Sequence, residues 1–394
     1  MITQQQTTSS DNQQKNLQQS SAQPLTWIEV DAKALAHNIA QYKSIVKNTL
    51  LAPVIKSNAY GHGIELIAKL LDENSNVDFL CTVSLSESLL LRSIGIKKPL
   101  LVLSIIDGDL HQAAQQDIAL ILYDMRTALA INEAGKKCNK KIAVHIKVDT
   151  GLSRLGLLAT HVIPFIKELC LLPFISIQGI FTHFATSERT DQTHTDGQIA
   201  QFTNIIYQLD QLGIHIPLRH ASCSAAITAN QASHFTMVRT GIGIYGLWPS
   251  AQNKQLTSTI FPHFSLKPVL SWKTTIIQIK EISAGSFVGY DISYQATKPT
   301  RIATLPVGYW DGYDRKLSNT GSVLINNQLA RVVGRIAMNL MMVDITDIQA
   351  SVGDQVTLLG NHHTITADDI AHTCQSINYQ IVTSINPLLP RICQ

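Results

Sequence analysis

Residues 25 to 31 (LTWIEVD) read as a strand, and Asp31 stands where it can cap a helix in which Leu35, Ile39, Tyr42 and Val46 recur every three or four residues. Eight short apolar runs rich in β-branched residues follow, with helical stretches between them: 51–58, 79–84, 99–104, 118–124, 142–151, 175–184, 217–224 and 237–246. Strands that are apolar throughout, each followed by a helix, predict a parallel sheet covered on both faces, and eight of them predict a (β/α)8 TIM barrel. A doubly wound open sheet fits the same alternation, because periodicity does not report closure. From about residue 265 the helical period fades. Thr/Ile/Val-rich runs split by Gly and Asn turns predict a mostly-β domain there, helical again only over 366–381. The expected organisation is an α/β chain: a Gln/Ser/Thr-rich disordered tail over 1–24, the barrel over 25–265, and the β-domain over 266–394, with the strand at 25–31 free to pack on the latter.

Composition narrows the function classes. The 394 residues carry 31 Lys+Arg against 28 Asp+Glu, a net charge of +3, which gives no reason to expect nucleic acid or an anionic membrane as partner. No apolar run approaches the roughly 18 to 20 residues of a membrane span, and the polar N-terminus has no signal-peptide core. Six scattered cysteines, without a C-x-x-C pair, suit reduced thiols in a cytoplasmic protein and no metal site.

In such a barrel the chemistry sits where strands end. Lys56 closes the first apolar run, in VIKSN. A lysine snorkelling at a strand end is the bland alternative; a buried one has a free amine able to form an imine or take a proton. Tyr60 follows in the Gly-flanked turn NAYGHG, where packing would equally account for it. Ser224 and the TGIG turn at 240–243 come after the last two strands, the usual place for a phosphate cradle of backbone N–H groups and a hydroxyl. An imine-forming lysine and a phosphate cradle in one barrel mouth suggest pyridoxal phosphate.

Several motifs then occur in order: VIKSNAYGHG (54–63), VDTGLSRLG (148–156), THFATSE (182–188), VRTGIGIYG (238–246), VGYDISY (288–294), PVGYWDGY (306–313) and VGRIAMN (333–339). From WIEVD at 27 to PRIC near the C-terminus the chain closely resembles the alanine racemases, pyridoxal-phosphate enzymes of fold type III. The resemblance implies a homodimer that interconverts L- and D-alanine for peptidoglycan. It implies Lys56 as the lysine that holds the cofactor and serves as one acid/base, and Tyr290 as the second, reaching in from the other subunit. It further implies Arg239 facing the pyridine nitrogen, where a guanidinium donates a hydrogen bond without giving up its proton. His183 would lie beside the ring, with Tyr60, Ser224, Gly241 and Ile242 on the phosphate. Arg154 would bond the cofactor's phenolic oxygen and the substrate carboxylate, with Met338 of the second subunit near that carboxylate. Lys147 matches a lysine that many members carry as a carbamate, Tyr309, Arg315 and Arg335 match residues lining the entry path, and Glu188 stands where another acidic group is usual.

The chain departs from the pattern at three positions. Cys223 stands where Asn is frequent beside the cofactor, Asn339 where Asp is common, and Pro387 where several members have a Tyr that contacts the phosphate and narrows the pocket. Pro387 keeps open a racemase of broader specificity, acting on serine or larger side chains. A decarboxylase on the same barrel is disfavoured by Arg239, and a non-catalytic pyridoxal-phosphate-binding protein by the β-domain that carries Tyr290.

Overall fold

The computed structural model describes residues 24–394, so the expected tail lies, but for Pro24, outside the described residues. The chain opens with β1 (Thr26–Val30) and α1 (Ala32–Val46), whose N-terminus is capped by Asp31, its Oδ1 accepting from the Ala34 N–H at 2.8 Å. The cap satisfies one of the helix's free donors, and the predicted stripe of Leu35, Ile39, Tyr42 and Val46 is buried.

Eight parallel strands follow: β2 (Leu50–Pro53), β3 (Leu80–Ser84), β4 (Leu100–Ile105), β5 (Ile118–Leu122), β6 (Ile142–Asp149), β7 (Ile175–Phe181), β8 (Leu218–His220) and β9 (Met237–Thr240). Each pairs with its sequence neighbour from β3 to β9, and β9 returns to β2 with Arg239 opposite Ala52. A parallel bridge between Val54 and Cys81 joins the first of these strands to the second. That contact closes the ring and excludes the open sheet. All five residues of β5 are buried, as strands covered on both faces require. Ala52, Val54, Cys81, Leu101, Ala119 and Met237 form a separate cluster inside the ring. The barrel is thus a packed core rather than a pore, and its chemistry is confined to the rim at the strands' C-terminal ends.

The helices around the barrel are α2 (Ile64–Asp72), α3 (Leu85–Ser93), α4 (Leu110–Gln115), α5 (Met125–Cys138), α6 (Ala159–Leu169), α7 (Thr193–Gln211), α8 (Ser224–Ala229) and α9 (Ala251–Ile260). Beyond them lie β10 (Leu270–Thr275), β11 (Gln278–Ile282), β12 (Thr300–Leu305), β13 (Ser322–Ile325), β14 (Gln328–Arg331), β15 (Met341–Asp344), β16 (Gln355–Leu359), α10 (Ala367–Thr373), α11 (Asn378–Thr383) and β17 (Arg391–Cys393). They build a six-stranded sheet in the order β14-β13-β16-β10-β1-β17 and a three-stranded sheet β11-β12-β15. The first strand therefore belongs to the second sheet: β1 runs antiparallel to β10, with Ile28 opposite Trp272, and parallel to β17.

The helical stretch read over 366–381 is two short helices, broken at Gln375 (φ 52°). The second, α11, is fixed against the barrel mouth. Asn378 donates to the Trp248 carbonyl at 2.9 Å and to Asp368 at 2.7 Å, and Arg391 donates to the Gly61 carbonyl at 3.0 Å. Gly61 (φ 84°) permits this docking, because a Cβ there would lie 1.9 Å from the Val382 carbonyl oxygen. Among the described residues no helix is long and apolar enough to cross a membrane.

Candidate active site

The barrel rim holds a cavity of about 560 Å³ whose lining includes Lys56, Tyr60, Lys147, Arg154, His183, Glu188, Cys223, Ser224, Arg239, Gly241 and Ile242. These side chains come from the ends of five strands, and only closure of the ring brings them together. Strand pairing ends earlier than the apolar run suggests: β2 stops at Pro53, and Lys56 opens a turn in which Ser57, Asn58, Ala59 and Tyr60 all have positive φ. Burial lowers the Lys56 pKa, the charge of Arg154 lowers it further, and Glu87 opposes them. The amine is therefore more readily freed of its proton than an ordinary lysine.

The cradle opposite is built from backbone. Ser224 Oγ accepts from the N–H of Gly241 at 2.9 Å and of Gly243 at 3.3 Å, and Ile242 begins a short 3-10 turn whose first N–H groups have no helical acceptor. A Cβ at Gly241 would sit 2.5 Å from Tyr60 Oη, so only glycine lets the phenol and this backbone share the space. Tyr60 packs 5.1 Å from the buried ring of Tyr245, whose hydroxyl donates to the Val54 carbonyl at 3.0 Å. Burial raises the Tyr60 pKa, which keeps the phenol a donor.

Arg239 is anchored from behind. Its Nη2 donates to the carbonyls of Thr182 at 2.8 Å and Ala221 at 2.9 Å, and its Nη1 donates to His220 Nδ1 at 2.6 Å. That last bond fixes tautomers. With His220 Nδ1 accepting, the proton is on Nε2, which donates to His145 Nδ1 at 2.8 Å, leaving the His145 proton on a buried Nε2 without a partner. Burial lowers the pKa of both histidines, and the Arg239 charge adds to it, so both are neutral. Burial pulls Arg239 down to about 10, still charged near neutrality. Phe181 stacks on His220 at 4.8 Å and carries Lys147 Nζ 4.7 Å from its centroid.

Lys147 is 6 % exposed, and burial followed by the charges of Arg239 and Arg154 holds its pKa well below the ordinary lysine value. His183 is likewise held well below the usual range, first by burial and then by the surrounding cations. Burial alone would raise Asp149, but it accepts the N–H groups of Gly151, Leu152 and Ser153 at 2.9, 3.0 and 3.1 Å, and its pKa falls. Those bonds shape the loop that carries Arg154 to the rim. Cys223 Sγ lies 3.2 Å from Ser187 Oγ.

The other candidates lie elsewhere on this chain. Tyr290 is 69 % exposed and Met338 54 % exposed, and neither lines the cavity. Asp291, beside Tyr290, pairs with Arg315 at 3.6 Å and Arg335 at 3.5 Å. Tyr309 N–H donates to the Ala337 carbonyl and Trp310 N–H to the Met338 carbonyl, so these two segments of the β-domain lie side by side. Asn339 and Pro387 are exposed and do not line the cavity. The cavity wall instead includes Tyr379 and Thr383 of α11, with the Tyr379 ring 6.2 Å from that of Tyr60. Sequence reading missed both, because nothing local in INYQIVTS indicates that this helix docks on the loop after β2. His145 was within reach: a histidine inside an otherwise apolar barrel strand needs a polar partner.

A lysine amine of lowered basicity, a backbone anion cradle beside a phenol, and a guanidinium anchored by three acceptors fit pyridoxal phosphate in size and donor set, and they define the class as pyridoxal-phosphate enzymes. Profiles of the alanine racemase N-terminal and C-terminal domains match residues 30–249 and 269–393. The alanine racemase of Halothermothrix orenii is 38% identical over 371 residues, 93% of this chain and 96% of that protein, and that of Methanococcus maripaludis is 37% identical over 93% and 98%. The solved alanine racemase of Clostridium difficile 630 superposes with a TM-score of 0.88 at 34% identity, covering 94% of this chain and 96% of its own. That of Bacillus anthracis with bound L-Ala-P gives 0.85 at 31% identity, over 94% and 95%. The chain belongs to the alanine racemase family of pyridoxal-phosphate-dependent isomerases.

Proposed function

We propose that Lys56 and Tyr290 are the two acid–base groups with which this alanine racemase interconverts L- and D-alanine, and that Tyr290 comes from a second copy of the chain. The observation that carries the assignment is the lowered basicity of Lys56 in the same cavity as the anchored Arg239 and the Ser224–Gly241 cradle. When bound, pyridoxal phosphate supplies an electron-withdrawing ring conjugated to the substrate's Cα.

The chain's residues do the rest. Ser224, Tyr60 and the N–H groups of Gly241 and Ile242 would hold the phosphate. Arg239 would donate to the ring nitrogen while keeping its own proton, which would restrain side reactions. Arg154 and the Met338 N–H would hold the substrate carboxylate, and His183, a neutral imidazole, would lie beside the ring. Lys56 Nζ takes the Cα proton on one face while Tyr290 Oη returns one on the other; the reverse reaction exchanges the roles. The proposed domains are the barrel over 25–265, whose leading strand β1 packs in the sheet of the second domain, and the β-domain over 266–394, which presents Tyr290 and Met338 outward.

Exposed apolar side chains on the domain that carries Tyr290 support the homodimer. Ile292 is 65 % exposed and Trp310 59 % exposed, and Phe287 and Leu340 are also uncovered. An apolar face of this kind, on the domain carrying the missing base, suits burial against a second copy. The low pKa of Lys147 supports its carbamate: a neutral amine adds CO2 with loss of one proton, and the resulting anion orients Arg154 where an ammonium would repel it. The balanced charge and reduced cysteines support action in the cytoplasm, supplying D-alanine to peptidoglycan.

The test is incubation with L-alanine in heavy water. D-alanine carrying deuterium at Cα, with no CO2 released, is expected; CO2 release would indicate a decarboxylase, and absence of exchange a cofactor carrier. Lys56→Ala should lose the visible absorbance of the bound cofactor. Tyr290→Phe should keep it, lose racemisation in both directions, and lose Cα deuterium exchange from one enantiomer preferentially, and dilution to monomer should abolish activity.

A further inference from the structure

The loop that carries Lys56 is folded against its own stereochemistry. Ser57, Asn58, Ala59 and Tyr60 hold φ of 55°, 55°, 52° and 54°, a left-handed turn made without a single glycine. L residues resist that conformation, so it persists only where neighbours impose it. The far end is tied by several bonds: Asn58 Oδ1 accepts from Ile64 N–H at 2.9 Å, Gly63 N–H donates to the Asn58 carbonyl at 3.0 Å, and Arg391 grips the Gly61 carbonyl. At the lysine end a single side chain does this. Glu87, on α3, accepts the Ser57 N–H on Oε1 at 2.7 Å and the Val83 N–H on Oε2 at 2.9 Å.

Glu87 is at the third position of its helix, where a glutamate usually turns back to the N–H of the capping residue. Half of that arrangement is present: Ser84 caps the helix and its Oγ accepts the Glu87 N–H at 3.2 Å. The carboxylate, however, leaves its own helix and bridges the end of β3 to the residue after Lys56. Lys56, Ser57 and Val83 line the cavity, whereas Glu87 does not. Its carboxylate therefore acts on the site without touching the cavity, through the backbone it holds and, at longer range, through its charge on Lys56.

We propose that Glu87 is a positioning residue for the cofactor-bearing lysine, its carboxylate holding the left-handed turn that aims Lys56 into the cavity. This rests on the assignment of Lys56 above. Two charge-assisted bonds to backbone, one exposed and one part-buried, are lost together in Glu87→Ala, while the Ser84 cap, which uses the Glu87 backbone N–H, stays.

The experiment uses the full-length holoenzyme. Glu87→Ala should raise the Kd for pyridoxal phosphate by roughly tenfold or more. It should also alter the visible circular dichroism of the bound cofactor and lower kcat more than it raises KM for L-alanine. Glu87→Gln keeps one carbonyl oxygen to accept and should fall between the two, and it decides the matter on the same readouts where the Ala variant does not fold. Unchanged cofactor affinity, dichroism and kcat in a folded variant would overturn the proposal. Borohydride fixation of wild-type holoenzyme followed by peptide mass measurement separates this from the underlying reading: label on a lysine other than Lys56 would remove the lysine assignment itself.

Discussion

Gly179→Ala probes the anchoring of Arg239 from a position that touches neither cofactor nor substrate. Gly179 lies on β7 beside β6, and an added Cβ would sit 2.2 Å from His145 Nδ1, 2.5 Å from Cε1 and 2.6 Å from Cγ. The imidazole must retreat by roughly 1 Å to reach ordinary contact. His145 Nδ1 is the atom that accepts from His220 at 2.8 Å, and His220 in turn accepts from Arg239. The ring is fully buried, so it has no free space to move into. Overpacking costs about 1–3 kcal/mol, and a buried hydrogen bond stretched open costs a similar amount. Alanine's stiffer unfolded chain returns less than about 1 kcal/mol, leaving a net loss of about 2–4 kcal/mol, which urea unfolding of the variant measures. With His145 displaced, His220 loses the acceptor that fixes its tautomer, its bond to Arg239 is weakened, and kcat/KM for L-alanine should fall about tenfold, equal to about 1.4 kcal/mol. The double variant Gly179→Ala/His145→Ala removes the ring that clashes, so its destabilisation should be well below the sum of the two single losses. Full additivity, or a single variant with wild-type stability and turnover, would refute the steric argument.

Other consequences are as direct. His62 is fully buried, its Nδ1–H donates to the Ala59 and Tyr60 carbonyls, and burial, opposed by those bonds, lowers its pKa to about 4. The folded chain leaves it neutral while the unfolded chain protonates it below about 6.5, so stability should fall by up to about 1.4 kcal/mol per pH unit from this group as pH drops from about 6.5 towards 4. Urea unfolding across that range should show a shallower fall for His62→Leu, and identical slopes would contradict it. Tyr379→Ala should open the cavity wall and raise kcat/KM for L-serine and L-lysine relative to L-alanine by roughly tenfold, the scale of a few methylenes in a pocket; a racemisation panel with unchanged ratios would show that the wall does not filter substrate.

The apolar runs and the helices between them carry their own address. Eight strands, the capped stripe of α1 and the change of texture near residue 265 follow from periodicity, because burial on two faces, on one stripe or on alternate residues leaves different patterns. Lys56, Ser224 and the TGIG turn were legible for the same reason: polar groups that end apolar strands are where a barrel exposes its chemistry. Closure of the ring was not legible, since it depends on the Val54–Cys81 bridge and on β9 meeting β2, contacts between segments with no local signal for one another. Nor was the left-handed turn after Lys56. KSNAY contains no glycine to announce positive φ, and the turn is held by Glu87, Asn58 and Arg391, of which only Asn58 lies in it. The entry of Tyr379 into the cavity and the tautomer chain from Arg239 through His220 to His145 belong to tertiary structure too. The sequence by itself determined which residue types stand ready at the strand ends. The fold decided which of them share a space, because distance, burial and hydrogen-bond direction arise only when distant parts of the chain meet.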